Sequence, residues 1–350
     1  MIAALTWLLL YQLVGEVFAR VLSLPVPGPV IGMALLFCTL VVRGHMGRPI
    51  PQSMQHTANV LLQHLSLLFV PADSPRKLAK AQDSRADVLI LDLEDAVAPA
   101  QKPAARAGAA AFVTEQAQRL SAQLYVRINP LDSGLAMADL AAVVRPGLAG
   151  IMLPKTSSAD DVRQLGHCLD ALEARAGLPA GTVRILPVAT ETARAMLTLD
   201  SFRPGLPRLA GLTWGAEDLS AAIGAMSNRE EDGSLSPLYS LANALCLCTA
   251  AAAQVPAIDT LYADFRDPEG LARSCRQSRR RGFRGRIAIH PDQVDVINAA
   301  FTPTEAERAA AQRVVDAFAA QPEAGALSID GVMVDMPHLK QARRTLGLAD

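Results

Sequence analysis

The sequence has few aromatic residues and no excess of either charge. Aromatic side chains make up 4% of its 350 residues, and 33 Lys and Arg stand against 34 Asp and Glu, for a formal net charge of -1. Nucleic-acid binding proteins carry a basic surface with stacking aromatics, so we expect no nucleic-acid partner. The five cysteines show no paired C-x-x-C spacing. The sequence therefore predicts neither a disulfide framework nor a zinc site.

Charge is also nearly absent from the first 66 residues. They contain four charged side chains, whereas the other 284 residues contain 63 (67 − 4). Two apolar runs, residues 1–19 and 30–42, are separated by Leu24–Pro29, whose prolines break any helix. A membrane-spanning helix needs about 20 apolar residues. The sequence thus predicts a hydrophobic, transmembrane-like helical hairpin over residues 1–65.

The few charges of this segment bear on its orientation. No Lys or Arg precedes Arg20, which disfavours a secretory signal peptide because such a peptide begins with basic residues. Arg43 and Arg48 follow the second apolar run and favour the cytoplasmic side for that end. We therefore expect membrane association through residues 1–43, with the remainder of the chain in the cytoplasm.

The remainder of the chain alternates short apolar runs with longer segments rich in Ala, Leu and Arg. Eight such units predict an α/β fold, a (β/α)8 TIM barrel over residues 66–300, followed by a C-terminal helix and lid over residues 301–350. No Gly-x-Gly-x-x-Gly follows the first strand, which argues against a dinucleotide-binding sheet. The predicted strands are Ser66–Val70, Val88–Leu91, Leu124–Ile128, Gly150–Leu153, Val183–Val188, Ala210–Thr213, Ala257–Tyr262 and Arg286–Ile289.

A barrel of this kind places its catalytic groups at the carboxyl ends of the strands. Glu191 and Asp218 follow the consecutive strands five and six. Two carboxylates, completed by water and substrate oxygens, suit Mg²⁺, which accepts few protein ligands. The alternative is a pair of solvated loop carboxylates, the usual state of Asp and Glu.

Arg127 ends the third strand, and three acids within residues 92–95 end the second. The planar fork of an arginine matches a carboxylate or a thioester oxygen. Arg127 could equally be the buried partner of the acids, which repel one another unless a cation intervenes. Lys155 and Lys102 are further candidates for that pairing, and the acids could also support a metal through water.

Two basic residues follow the first strand. Arg76 and Lys80 are spaced four apart, behind Ser74 and Pro75, which can start a helix. Such a stripe could hold a phosphate at the site face, or it could be a solvated helix face.

The tail carries a separate pattern. Residues 305–320 read as a helix, and Gly325–Met336 read as a hairpin with Asp330-Gly331 at the turn. Asp335 lies between apolar neighbours and could give or take a proton. The alternative for Asp335 is the N-cap of a helix over Pro337–Leu346.

Two stretches of the first fifth of the chain resemble a membrane-protein family. Leu24–Met33 is similar to the start of the holin-like CidA/LrgA family, and Leu61–Ala72 is similar to one of its later helices. The resemblance implies a membrane segment that is only part of that family's chain.

Residues 67–350 resemble the HpcH/HpaI aldolase and citrate lyase beta subunit superfamily. The resemblance implies a Mg²⁺-dependent acyl-CoA lyase of the malyl-CoA and citramalyl-CoA branch, with Arg76 and Lys80 contacting CoA. Where that superfamily usually has Arg-Ser before the first strand, this chain has Leu65-Ser66. The matching strings are Leu68–Arg76, Lys80–Ala81, Leu91–Val97, Val126–Asn129, Leu153–Lys155, Glu191–Thr192, Trp214–Leu219, Gly282–Gly285, Ile289–Pro291 and Asp330–Pro337.

The same resemblance implies a role for each candidate residue. Glu191 and Asp218 would be the metal ligands, and Arg127 would hold the thioester or oxo-acid oxygens. Asp335 would be the acid/base on the C-terminal lid, lent to a neighbouring subunit of a homotrimer.

Three functions follow as hypotheses. The first is a lyase that cleaves a 3-hydroxyacyl-CoA to acetyl-CoA and a 2-oxo acid, tethered to the inner membrane. The second is a CoA thioester hydrolase or an oxo-acid aldolase of the same superfamily. The third is a non-enzymatic holin-like membrane protein with a passenger barrel. Residues 67–72 belong to both resemblances, and we expect them to form the first barrel strand because the other seven strands need it to close the ring.

Overall fold

The computed structural model describes residues 65–203 and 205–348. Within these residues the chain forms two units, residues 65–302 and residues 303–348. No helix of the described part is long and apolar enough to cross a membrane. The hydrophobic hairpin predicted for residues 1–65, and the membrane association predicted for it, lie outside the described residues except for Leu65.

The unit of residues 65–302 is built on eight parallel strands. Strands β1 to β5 pair in chain order, as do β6 to β8, and β1 also pairs with β8. Isolated bridges, Ile185 to Leu209 and Val188 to Thr213, join the fifth and sixth strands and close the ring. The strands are β1 (Leu65–Pro71), β2 (Val88–Asp92), β3 (Gln123–Arg127), β4 (Gly150–Leu153), β5 (Arg184–Pro187), β6 (Leu212–Thr213), β7 (Ala257–Asp259) and β8 (Gly285–Ala288). The predicted barrel is therefore confirmed.

Helices follow the strands and cover the outside of the ring. In the described chain, short 3₁₀ turns at Pro99–Gln101 and Leu199–Ser201 adjoin two of them. The helices of this unit are α1 (Pro75–Ala81), α2 (Lys102–Gln116), α3 (Ala136–Val143), α4 (Ala159–Ala176), α5 (Ala193–Thr198), α6 (Glu217–Ile223), α7 (Pro237–Ala252), α8 (Pro268–Arg281) and α9 (Asp292–Phe301).

The strands alternate their side chains between two apolar layers. One layer fills the inside of the ring, with Leu67, Ile90, Tyr125 and Met152 among its members. The other packs against the helices and includes Leu68 of the same strand. Strands buried on both faces appear as continuous apolar runs in a sequence, which is why the runs located all eight.

The later strands are shorter than the runs that predicted them. The run Ala257–Tyr262 forms a ladder only as far as Asp259, and the run Ala210–Thr213 only at Leu212 and Thr213. Asp259 turns its carboxylate into a buried polar network, where it accepts a hydrogen bond from Trp214 Nε1 at 2.7 Å. Apolar runs report burial rather than ladder pairing, so they overestimate strand length where buried chain leaves the sheet.

The first strand settles the competition between the two resemblances. Residues Leu65–Pro71 pair with β2 and β8, so this segment is a barrel strand as predicted. Near its start, the backbone N–H and the hydroxyl of Ser66 donate to Asp87 Oδ2, at 2.8 and 3.0 Å.

The unit of residues 303–348 contains α10 (Glu305–Ala320), the hairpin β9 (Ala326–Ile329) and β10 (Val332–Asp335), and α11 (Met336–Leu346). Asp330 and Gly331 both have positive φ, 52° and 79°, at the predicted two-residue turn. A small core of Phe318, Val334 and Leu339 holds the unit together.

Replacing Gly150 by alanine should destabilise the barrel. A Cβ at Gly150 would lie 2.2 Å from Cε1 of Tyr125, whose ring fills the inside of the ring of strands. We expect the free energy of unfolding to fall by about 1–3 kcal/mol, measured by urea denaturation. Gly166→Ala, in helix α4, is the control, because the nearest atom to the added Cβ is Arg208 Cδ, at an ordinary contact distance of 3.7 Å. An equal loss in both variants would contradict the packing argument.

Candidate active site

The carboxyl ends of strands β2 to β6 bring a cluster of charged side chains together at one rim of the barrel. Asp92 and Arg127 are the last residues of their strands, and Lys155, Glu191 and Asp218 follow the next three. Their order along the chain is their order around the ring. Asp92 pairs with Arg127 of the neighbouring strand, whereas Lys155 pairs with acids that follow strands two positions away on either side.

Arg127 is the buried centre of one half of this cluster. Its Nε and Nη2 donate to the two carboxylate oxygens of Asp92 at 2.8 and 2.6 Å, and its Nη1 lies 2.9 Å from Glu94 Oε2. The guanidinium also stacks over the Phe69 ring, 4.5 Å from its centre. Burial alone would lower the pKa of Arg127, but the hydrogen bonds and charges of Asp92 and Glu94 raise it. Arg127 is therefore a charged group in its folded setting, and it pairs with the acids as one alternative predicted.

Asp92 is satisfied from several sides. It is 1% exposed, and beyond Arg127 it accepts hydrogen bonds from the backbone N–H of Glu94 at 2.9 Å and of Ala96 at 3.2 Å. This double role fixes both the guanidinium and the loop that carries Glu94.

Lys155 links the two halves of the cluster. Its ammonium pairs with Glu94 and lies 3.2 Å from both Asp95 Oδ2 and Asp218 Oδ1. Its backbone N–H donates to Glu191 Oε2 at 2.6 Å. The residue has φ of 50°, the left-handed region that is costly for a side chain other than glycine. Sequence reasoning offered Lys155 only as one possible partner of the acids; no local signal showed that it would reach Asp218 and Glu191 as well.

Glu191 is the more buried of the two carboxylates, Glu191 and Asp218, that form the second half of the cluster with Lys155. Burial raises its pKa to about 8, and the negative charges of Asp218 and Glu94 act in the same direction. Gly215 makes its position possible, because a Cβ there would lie 2.8 Å from Glu191 Cγ. Asp218, in the first turn of α6, is 27% exposed and opens toward solvent.

The donor set fits a divalent cation that prefers oxygen ligands. A buried carboxylate beside a second one is unfavourable as a dianion, and a cation would relieve that cost. Within the described residues no group of three or more His, Cys, Asp or Glu side chains is arranged to hold a metal alone. Water or substrate oxygens would have to complete the coordination, as Mg²⁺ sites usually allow.

A cavity of about 210 Å³ adjoins the cluster at the ends of β3 and β4. Lys155 is the member of the charged cluster that lines it. Among the residues that line it are Leu131, Asp132, Pro154, Lys155, Thr156 and Gln164.

Comparison with known proteins gives a family to this arrangement. The family model of HpcH/HpaI aldolase/citrate lyase matches residues 65–291. The chain belongs to this HpcH/HpaI aldolase/citrate lyase family. A citrate lyase subunit beta of Haemophilus influenzae is 31% identical over 283 residues, which are 80% of this chain and 95% of the relative.

Other relatives of this HpcH/HpaI chain carry different activities in their names. A (3S)-malyl-CoA thioesterase of Cereibacter sphaeroides is 35% identical and covers 81% of this chain and 94% of its own length. The mitochondrial citramalyl-CoA lyase of Rattus norvegicus is 32% identical, with 81% and 85% covered. The crystal structure of CitE from Mycobacterium tuberculosis in complex with magnesium, acetoacetate and coenzyme A superposes with a TM-score of 0.66 at 35% identity, over 81% of this chain and 97% of that one.

The LrgA family model matches residues 12–73, as the resemblance to the CidA/LrgA family indicated. The two family models overlap at residues 65–73, where the structure has strand β1. The part of the LrgA match that precedes residue 65 lies outside the described residues.

The two predicted CoA contacts lie on α1. Ser74 caps this helix and Pro75 opens it, as predicted. Arg76 in the first turn and Lys80 in the last are both exposed. In the described residues, neither takes part in the ion pairs around Glu94 and Asp218, so the structure presents them to solvent.

Asp335 belongs to the other unit of the chain. It is the last residue of β10 and the N-cap of α11, which is the alternative predicted for it. Its carboxylate is 37% exposed rather than enclosed by apolar side chains, and its Oδ1 lies 2.5 Å from His338 Nδ1. The helix N-cap and the acid/base role are compatible, because only one carboxylate oxygen contacts the imidazole.

Proposed function

We propose that this HpcH/HpaI-family chain is a Mg²⁺-dependent carbon–carbon lyase. Its substrate would be a 3-hydroxyacyl-CoA of the citramalyl-CoA or malyl-CoA type, and its products acetyl-CoA and a 2-oxo acid. The observation that carries the proposal is the set of contacts around Lys155 at one barrel rim. Its ammonium lies between Asp218 and Glu94, the acid that also pairs with Arg127, and its backbone N–H donates to Glu191.

Glu191 and Asp218 are the residues that would hold the metal. Burial makes Glu191 costly as an isolated anion, and Asp218 is open to the solvent from which a cation and a substrate arrive. Bound Mg²⁺ would supply Lewis-acid polarisation of the substrate carboxylate and hydroxyl. The magnesium and coenzyme A in the Mycobacterium tuberculosis relative support this choice of cofactor and substrate class.

The proposed reaction is a retro-Claisen cleavage. The 3-hydroxyl group loses its proton, the Cα–Cβ bond breaks, and its electron pair passes to the thioester as an enolate. Arg127 holds a fixed positive charge beside the thioester oxygen, and a charge that needs no reorganisation stabilises the developing anion most effectively. Its pairing with Asp92 and Glu94 keeps the guanidinium rigid and leaves N–H groups for the substrate. Asp335 then gives a proton to the enolate carbon, which completes acetyl-CoA.

Arg76 and Lys80 would contact the CoA phosphates. Both side chains are exposed on α1, which follows β1 directly at the same rim, so they can be reached by a long ligand that enters the barrel from solvent. Arginine and lysine are the usual protein partners of phosphate.

Thioester hydrolysis is the second candidate. The observation that favours it is the 35% identity with a (3S)-malyl-CoA thioesterase. In that reaction water attacks the thioester carbonyl, and free CoA and the hydroxy acid are released while the carbon skeleton stays whole.

The experiment that tests the proposal is an assay of the purified full-length chain with citramalyl-CoA and malyl-CoA. Acetyl-CoA with pyruvate or glyoxylate identifies the lyase, whereas free CoA thiol with citramalate or malate identifies the thioesterase. Loss of either activity in EDTA, and its return with Mg²⁺, is expected. A folded chain that produces neither set of products contradicts the proposal and favours the non-enzymatic hypothesis.

Asp335→Ala should reduce cleavage by about a hundredfold or more, because a positioned acid contributes that much to proton transfer. Mg²⁺ binding, measured by calorimetry, should remain. Asp330→Asn is the control, since Asp330 is at the turn of the same hairpin and asparagine removes its charge while tolerating its positive φ. Turnover of Asp335→Ala within a few-fold of the parent contradicts the assignment.

We also propose a homotrimer in which Asp335 serves a neighbouring subunit. We further propose that the chain has three parts, residues 1–65, 66–300 and 301–350, and that the first part anchors the cytoplasmic catalytic domain to the inner membrane. Mixing Asp335→Ala chains with Glu191→Gln chains tests the homotrimer. A site that combines the barrel of an Asp335→Ala chain with the lid of a Glu191→Gln chain has both residues intact and should regain activity. No recovery in a mixed oligomer means that Asp335 acts within its own chain. Partition of the full-length chain with membranes, and its release on removal of residues 1–43, tests the second.

A further inference from the structure

The C-terminal unit carries a second titratable group directly on the proposed acid. His338 Nδ1 lies 2.5 Å from Asp335 Oδ1, and the backbone N–H of Asp335 points at the same Nδ1 from 3.2 Å. The ring reaches back from the first turn of α11 to the residue that caps it. The two side chains therefore form a pair that is built by the local chain.

The short contact has a consequence for protons. A carboxylate oxygen and an unprotonated imidazole nitrogen are both acceptors, and two acceptors at 2.5 Å repel. A proton between Oδ1 and Nδ1, on either atom, makes this contact a hydrogen bond, and a proton on Oδ1 also leaves Nδ1 able to accept the backbone N–H of Asp335.

Exposure decides how such a pair could work. The carboxylate of Asp335 is 37% exposed and the imidazole of His338 is 49% exposed, so both can exchange protons with water. An isolated aspartic acid ordinarily holds its proton only near about pH 4, whereas an imidazole holds one to about pH 6.5. A carboxylic acid by itself is thus a poor proton store at neutral pH, and a carboxylic acid paired with an imidazole is a better one.

Resting on the proposed lyase function and on Asp335 as its acid, we propose that His338 is a positioning residue that also carries the proton that Asp335 delivers. The enolate carbon takes a proton from Asp335, Asp335 takes one from the His338 ring, and the ring takes one from water. The hydroxyl proton lost at the start of cleavage is released to solvent, so one proton enters and one leaves in each turnover.

Other charges near the pair come from few elements. Strand β9, which pairs with β10, has no titratable side chain. Asp316 of α10 accepts a hydrogen bond from Gln312 Nε2 at 2.7 Å. The charged groups on the turn, on the loop before β9 and on the two helices of this unit are Asp330, Glu323, Glu305, Glu307, Arg308, Arg313, Asp316, Lys340, Arg343 and Arg344. Each contributes a background field that is the same in the parent and in a His338 variant.

The test compares His338→Leu, His338→Asn and the parent as full-length chains with citramalyl-CoA and Mg²⁺. The rate of the chemical step is measured in single turnovers by rapid quench, and KM in the steady state, between about pH 5 and about pH 7. Asparagine keeps a hydrogen bond to Asp335 but cannot titrate, so it separates positioning from proton storage. Lys340→Gln, an exposed change of charge on the same helix, is the control.

We expect both His338 variants to keep KM within about twofold while the parent-to-variant ratio of the chemical rate rises about tenfold or more from the lower to the higher pH, because one pKa unit is a tenfold change in the protonated fraction. A ratio that is the same at every pH, or full rescue by His338→Asn, overturns the proposal and leaves a helix-capping role. If Asp335→Ala is itself active, the proposed function of Asp335 fails first. If Asp335→Ala is inactive and the ratio is constant, only the role of His338 fails.

Discussion

Replacing Arg127 by alanine should remove most activity and much stability together. The variant leaves Asp92 and Glu94 buried, at 1% and 2% exposure, without the guanidinium that pairs with both. Breaking a buried ion pair on one side costs about 3–5 kcal/mol, because the remaining charge stays desolvated. Loss of a fixed charge beside the reacting oxygen costs about a hundredfold to a thousandfold in turnover. Urea denaturation and the lyase assay measure the two effects separately.

Two further variants separate chemistry from folding at this position. Arg127→Lys keeps a positive charge but cannot form the bidentate contact with Asp92, so it should retain more stability than Arg127→Ala and still lose turnover. Arg163→Ala is the matched control, since the Arg163 to Asp160 pair is exposed on α4 and such pairs contribute little. A folded Arg127→Ala chain with turnover within about tenfold of the parent would remove Arg127 from the mechanism.

Glu191→Gln and Asp218→Asn should each abolish metal-dependent turnover, with a loss of about a thousandfold. An amide is a weak ligand for a hard cation that prefers charged oxygen, so Mn²⁺ affinity, measured by electron paramagnetic resonance, should fall more than about a hundredfold. The two carboxylates follow successive strands. Glu217, next to Asp218, is the other acid at these two strand ends.

The stability of Glu191→Gln distinguishes a functional carboxylate from a structural one. Burial raises the pKa of Glu191 to about 8, so a neutral amide of the same shape suits the metal-free site at neutral pH. We therefore expect no loss in the free energy of unfolding in EDTA. Glu217→Gln is the control for both readouts because Glu217 is exposed beside Asp218. Retention of metal binding by Glu191→Gln, or a large loss of stability, would show that this carboxylate has a structural role instead.

Strand position was the easiest feature to predict from sequence. Buried parallel strands are apolar on both faces, so Val88–Leu91 and Gly150–Leu153 stand out as short runs and both form strands. The C-terminal hairpin was equally local, since Asp330-Gly331 has the backbone freedom that a two-residue turn requires. Strand ends were less certain, as the early end of β7 at Asp259 shows.

Partners across the rim were beyond sequence reasoning. The acids of residues 92–95 could have paired with Arg127, Lys155 or Lys102, and all three were open alternatives. In the structure Lys102 donates instead to the backbone carbonyls of Leu93 and Glu94, at 2.9 and 3.0 Å. Arg127 and Lys155 form ion pairs with the carboxylate of Glu94. The charges of the sequence do not determine which basic side chain pairs with these acids. The distances and directions of the side chains at the barrel rim determine it.

What the sequence determined by itself was the alternation of eight strands with helices and the set of polar residues at their carboxyl ends, because both depend on chain neighbours. Only the tertiary structure decided that Lys155 bridges Glu94 and Asp218 while its backbone contacts Glu191, because closing the ring brings together residues that are far apart in the chain. It likewise decided that Glu191 is buried, and burial raises its pKa and makes that carboxylate unfavourable as a free anion.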